Sequence, residues 1–219
     1  MANTFNLDNI RVLTHSAIRI QSNAGTVVYV DPYDLTDAPH DADFVLVTHA
    51  HFDHFSPEDI ARVAKDTTEL VVPASMEDEA PQAGISKVHY MNAGEHIELA
   101  DCVINAVPAY NVEPERLHCH PRENGWVGYI VTVDGNRIYI AGDTDQNPDT
   151  LQVSCDIALV PAGGTYTMDA MQAAEFINTI SPRVAIPTHY GTVAGTPEDG
   201  ETFAAQVKPG IDVVLKLGR

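Results

Sequence analysis

The chain has 219 residues, 44% hydrophobic and 20% charged, with 31 acids against 12 bases. That length suits one domain with a core that needs no staples, and residues 1–219 are read as such a unit. A formal charge of −19 argues against nucleic-acid and anionic lipid partners, while three scattered cysteines, no basic-apolar leader and no long apolar run point to a cytoplasmic protein without disulfides or membrane spans.

Val12 to Ile20 reads as the first extended segment, with His15 inside it, and Thr26 to Val30 as the second, ending on Asp31. Asp31 either caps a strand end or accepts a hydrogen bond from a nearby imidazole. The strand Phe44 to Thr48 runs directly into His49-Ala50-His51-Phe52-Asp53-His54, three imidazoles and one carboxylate within six positions. Such a donor set suits Zn2+, and its carboxylate also accepts Mn2+ or Fe2+. His49 and His51, two apart on an extended loop, point the same way, which leaves Asp53 and His54 around the bend for a second ion.

Ser56-Pro57-Glu58-Asp59 is a helix start, with Ser as cap, Pro in the first turn and acids at the positive end, and the helix is expected to reach about Asp66. Leu70 to Val72 and Val103 to Val107 are the next strands. A polar stretch follows, with Asn111 and then Leu117-His118-Cys119-His120-Pro121, in which His118 and His120 share one side if the backbone is extended. Arg116 and Arg122 flank it, either as anchors for an anionic substrate or as partners of Glu113, Glu115 and Glu123.

Val127 to Val133 and Arg137 to Ala141 precede Gly142-Asp143-Thr144-Asp145, where a carboxylate after a close-packed glycine can bridge two ions. Ile157 to Val160 leads into Gly163-Gly164-Thr165-Tyr166, a loop able to present backbone N–H groups to an anion. A helix after Thr167 buries Ala173, Ala174, Ile177 and Ile180 and stops at Ser181-Pro182. Val184 to Thr188 runs into His189-Tyr190-Gly191, and a short helix from Glu201 to Val207 and a strand from Val213 to Leu217 complete the chain. Tyr110, Tyr166 and Tyr190 are candidate donors to a developing oxyanion, Trp126 a core or pocket-wall residue, and His40, His89 and His96 ordinary surface or edge residues.

The halves echo each other: GTVVYVDPYD then DADFVLVTHAH, against GNRIYIAGDTD then SCDIALVPAGG. Two facing mixed sheets with helices outside, an α/β fold of the αββα four-layer type, would bring those strand ends to one rim.

THAHFDH, GDTD and PTHYG resemble, in order and spacing, the ligand motifs of the metallo-β-lactamase superfamily. VLTHSAIRI, VDPYD and PAGGTYTMDA are similar to its small metal-dependent hydrolases related to ascorbate-6-phosphate lactonase and N-acylphosphatidylethanolamine phospholipase D. The resemblance implies a binuclear site: His49 and His51 on the first ion, Asp53, His54 and His189 on the second, and Asp143 between them. Relatives carry a third histidine for the first ion where this chain has Asn111, so His120 is the first candidate, His118 the second, and Asn111 itself the third. The resemblance further makes Asp53 and His189 the candidate catalytic residues, places His15 near the substrate, and implies a metal-activated hydroxide that cleaves a small ester-like bond, a lactone or a phosphodiester. Asp143 stands where β-lactam-cleaving relatives lack the bridging acid. A non-catalytic metal protein and a di-iron redox protein on the same scaffold are the alternatives. The expected partner is a small-molecule substrate, anionic if the arginines anchor it, and self-association is left open.

Overall fold

A computed structural model of the chain describes residues 6–217. One sheet has six strands in sequence order: β1 (Ile10–Thr14), β2 (Ala17–Gln21), β3 (Val27–Val30), β4 (Ala42–Leu46), β5 (Ala64–Pro73) and β6 (Lys87–Met91). The other has seven: β7 (His96–Leu99), β8 (Cys102–Pro108), β9 (Val127–Val133), β10 (Asn136–Ile140), β11 (Ile157–Pro161), β12 (Val184–Thr188) and β13 (Asp212–Val213). In the first sheet the pairings from β1 to β6 run antiparallel, antiparallel, then parallel three times. From β8 to β13 the sequence of pairings is the same, with β7 added at the edge. The echo between the halves is therefore a repeat of topology.

Three apolar clusters define the layers. Between the sheets, Ile18, Val30 and Leu46 of one pack with Ile104, Tyr129 and Ile186 of the other. Helix α1 (Pro57–Val63) covers the first sheet through Ile60 and Val63, and α2 (Ala170–Ile180) covers the second through Ala173, Ala174, Phe176 and Ile177, with Phe203 of α3 (Asp199–Gln206) beside it. This is the expected αββα sandwich. No helix among the described residues is long and apolar enough to cross a membrane, and all three cysteines are free.

Most predicted elements stand, with informative differences. Val12 to Ile20 is a hairpin rather than one strand: Thr14 pairs with Ala17 across a two-residue loop, and His15 sits at φ 44°. Helix α1 ends at Val63, short of Asp66, because Ala64 turns extended and pairs with Ala42. Thr68 then donates its hydroxyl to the Ala42 carbonyl, and β5 continues past this bulge. Helix α2 is capped by Asp169 rather than Thr167, since Asp169 and Gln172 close a reciprocal capping box. The strand predicted over Val213 to Leu217 contracts to Asp212–Val213. Strands β6 and β7 are too polar to announce themselves, as sheet edges commonly are.

Candidate metal centre

The centre forms where strand ends from both sheets meet, and three of its residues occupy left-handed backbone: His15 (φ 44°), Asp31 (φ 47°) and His189 (φ 57°). None is glycine, so each position costs about 1–3 kcal/mol that the surrounding structure must supply, a pattern concentrated at functional sites. The sheets are locked together beneath them. Tyr129 donates its hydroxyl to the Val47 carbonyl (2.8 Å), and the Val127 amide donates to the Thr48 carbonyl (3.2 Å).

Asp143 is the hub. Its Oδ2 lies 3.1 Å from His189 Nε2, 3.2 Å from His120 Nε2 and 4.0 Å from His49 Nε2, and its Oδ1 lies 3.3 Å from His54 Nε2. All five side chains are buried. Yet His54 Nε2, His120 Nε2, His189 Nε2 and Asp143 Oδ1 have no hydrogen-bond partner among the described residues, close approach without alignment. Buried polar atoms are rarely left so, and four converging on one point fit divalent cations. On one side His49 Nε2 is 3.1 Å from His51 Nδ1, with the His120 ring beside both. On the other, His54, His189 and His15 surround Asp53.

The carboxylates and imidazoles tune one another. Burial pushes the Asp143 carboxyl upward, but His189 and His54 hold it well below the ordinary range. Asp53 is likewise lowered against its burial, by the hydrogen bond from His15 and by the nearby His189 imidazole. His49 falls well below its usual value through burial and the neighbouring His54, and His51 falls through burial and His120, so both favour the neutral, ligating form.

Asp31 supplies the support. It accepts from the Thr48 amide (2.8 Å), the Thr48 hydroxyl (2.7 Å) and His54 Nδ1 (2.7 Å). The last bond puts the His54 proton on Nδ1 and leaves Nε2 free for a cation. Asp31→Ala is expected to weaken metal affinity about 10–100-fold, checked by competition with a chromogenic chelator. Unchanged affinity with lower stability would reduce Asp31 to a strand-end cap.

Among the three candidates for the remaining ligand of the first ion, the structure brings the His120 ring to the cluster. His118 is exposed, with its ring on the Cys119 sulfur (3.6 Å). Asn111 is buried and donates Nδ2 to the carbonyls of Arg116 (2.9 Å) and Tyr166 (2.7 Å); the same Nδ2 lies 3.1 Å from His120 Nδ1, and the Asn111 N–H donates to the His120 carbonyl (2.8 Å), so Asn111 braces both the loop and the His120 ring. Two residues to which the sequence alone assigns no role hold others in place. Asp145, buried, accepts from the amides of Val112 and Glu113 and from Arg116 Nε (2.7 Å), so the second acid of the GDTD motif fastens the loop that carries His120. Thr192 contacts His15 Nδ1 (3.0 Å), while His15 Nε2 lies 3.1 Å from Asp53 Oδ2.

Other expectations resolve differently. Arg116 pairs with Asp145 and Gln172, and Arg122 with Asp149 while covering the Tyr110 ring, so the partners are not the neighbouring glutamates and neither arginine is a free anchor. Tyr110 gives its hydroxyl to Asp149 (2.7 Å), and the Tyr190 hydroxyl lies against Gly200. Tyr166 is exposed at the rim. The Gly163-Gly164 loop spends its N–H groups internally: Gly164 donates to Met168, and Tyr166 and Thr167 to Gly164. Gly163 is needed for proximity instead, because a methyl there would collide with the His189 carbonyl. Trp126 is a wall of the cluster, 4.9 Å from the His49 ring and 4.8 Å from His51.

An αββα sandwich with this imidazole and carboxylate set at its rim defines a class: the chain belongs to the metallo-β-lactamase superfamily, and the model of the β-lactamase superfamily domain matches residues 9–189. Within it, the chain is 33% identical to a UPF0173 metal-dependent hydrolase of Methanopyrus kandleri, over 94% of each chain, and 31% identical to a UPF0173 protein of Pyrococcus abyssi, over 85% of each. A crystal structure from Parabacteroides distasonis, provisionally described as a metal-dependent hydrolase, superposes with a TM-score of 0.79 at 34% identity, covering 95% of this chain and 93% of that one.

Proposed function

We propose that the chain is a hydrolase that holds two divalent ions, one on His49, His51 and His120, the other on Asp53, His54 and His189, with Asp143 between them. The observation that carries this reading is the single buried Asp143 carboxylate set 3.1–4.0 Å from four imidazole nitrogens of both groups. The nitrogen and carboxylate donors suit Zn2+ best and accept Mn2+ or Fe2+. Bound ions would lower the pKa of a shared water and polarise the oxygen of the scissile bond.

The chain's own residues do the rest. Asp53, steadied by His15 and lying 3.7 Å from His189 Nε2, orients the attacking water, takes its proton and returns it to the leaving group. The strained His15 and His189 backbones fix that geometry in advance. The reaction is cleavage of a small ester-like bond, a lactone or a phosphodiester.

The test is proton release from a panel of lactones and phosphodiesters with protein reconstituted separately with Zn2+ and Mn2+. Turnover is expected with wild type, and Asp53→Ala is expected to lack it even in the excess metal at which elemental analysis shows both sites filled. Two bound ions with no turnover on any panel member would favour a non-catalytic metal protein.

A further inference from the structure

The reacting groups are walled by loops whose composition is unusual for a site that takes anions. Residues 14–17, 31–33, 48–56, 109–126, 141–156, 161–169 and 188–198 contain only two lysine or arginine side chains, Arg116 and Arg122. Both are committed: Arg116 to buried Asp145 (2.6 Å), Arg122 to Asp149 (3.1 Å). The loop that bears His120 also carries Glu113, Glu115 and Glu123. A phosphate or carboxylate on the non-reacting part of a substrate would meet no free cation and a negative field.

What the loops do expose is apolar. Phe52, between two candidate ligands, is 66% exposed and meets Tyr33 edge-on at 5.8 Å. Beside His120, Leu117 is 47% and Tyr166 42% exposed; Tyr166 is tied through its carbonyl to Asn111, and Leu117 lies in the loop that bears His120. Apolar side chains exposed in the loops that hold a buried polar centre supply the apolar part of a binding surface there.

We infer that the substrate is an uncharged ester or lactone bearing an apolar acyl or aryl group, seated on Phe52, Leu117 and Tyr166. This rests on the hydrolase reading above and deepens it: the reacting carbonyl goes to the metal centre and the tail to the rim. The bond broken is the acyl C–O bond; water supplies the hydroxyl to the acyl carbon and the proton to the alkoxide leaving group, so no other reactant is needed.

The experiment compares p-nitrophenyl acetate, butanoate and hexanoate, the ω-carboxylated counterpart of the hexanoate, and bis(p-nitrophenyl) phosphate, on Zn2+-reconstituted protein. kcat/KM is expected to rise about two- to fourfold per methylene, from half to full burial of each. The carboxylated tail is expected to cost about tenfold or more. Leu117→Ser and Tyr166→Ser should flatten the chain-length dependence, and Leu117→Arg should narrow the gap between neutral and carboxylated tails. A flat series, or preference for the carboxylated tail or the phosphodiester, overturns the inference while leaving the hydrolase reading intact.

If no ester and no phosphodiester is turned over, the hydrolase reading fails and binding decides the inference by itself. Trp126 is the sole tryptophan and stacks near His49 and His51, so its fluorescence reports occupancy. Octanamide binding about tenfold tighter than its ω-carboxylate counterpart, and weakened by Leu117→Ser, supports the apolar rim; equal or reversed affinities overturn it.

Discussion

Asp143→Asn is expected to lower the metal content from two ions per chain to one or fewer and to reduce hydrolysis by more than a hundredfold. The lower bound follows from the geometry. Loss of a residue that merely supports a ligand costs about 10–100-fold in affinity or activity. Asp143 is in contact with both imidazole groups, through Oδ2 to His49, His120 and His189 and through Oδ1 to His54. An amide of the same shape keeps the packing but removes the charge and one acceptor, so the imidazoles would face one another's cations unshielded. Elemental analysis of protein purified with excess Zn2+, alongside kcat/KM on the best panel substrate, checks both parts. Retention of two ions would mean that the histidine groups bind independently and that Asp143 is no bridge.

Much of this centre is legible in the sequence, and what is not has physical reasons. His49, His51, Asp53, His54, Asp143 and His189 stand out because each follows an apolar strand, and a strand end at a sheet rim is where a parallel fold presents side chains. His120 is harder, since it lies in an eighteen-residue loop between β8 and β9 (109–126) whose path no periodicity describes. What sets its position is long-range: the Arg116–Asp145 pair spans 29 residues, and the Asn111–Tyr166 bond spans 55. Contacts of that separation leave no local pattern. His15 illustrates a different failure, because the apolar run from Val12 to Ile20 hides a two-residue hairpin loop that only the left-handed backbone of His15 reveals. The edge strands β6 and β7 escape for the opposite reason: each is a short run in which Lys87, His89, His96 and Glu98 take every second position, leaving too few apolar residues to stand out. The fold's layers, by contrast, follow from strand parity and from two well-capped helices.

Removing the metal is expected to create an alkaline instability that the loaded protein lacks. Without cations the Asp143 charge must be balanced by protons. Burial acts against a charged His189, yet Asp143 and Asp53 raise its pKa from 6.5 to about 10. A group raised on folding contributes stability that is full below its unfolded value and is lost as pH climbs through the folded one. For His189 that window runs from about 6.5 to about 10. Asp143 and Asp53, lowered on folding, work in the other direction: their contribution is present above the ordinary carboxylate value of 3.8 and disappears as pH falls below it. Bound cations replace the proton on His189, so binding at pH 7 to 8 should release protons, and affinity should rise with pH over the same interval. Thermal unfolding of chelator-treated and Zn2+-loaded protein between pH 6 and 10 tests this. Tm should decline across that range only in the metal-free form, and parallel declines in both forms would show that the His189 proton and the metal do not occupy the same place.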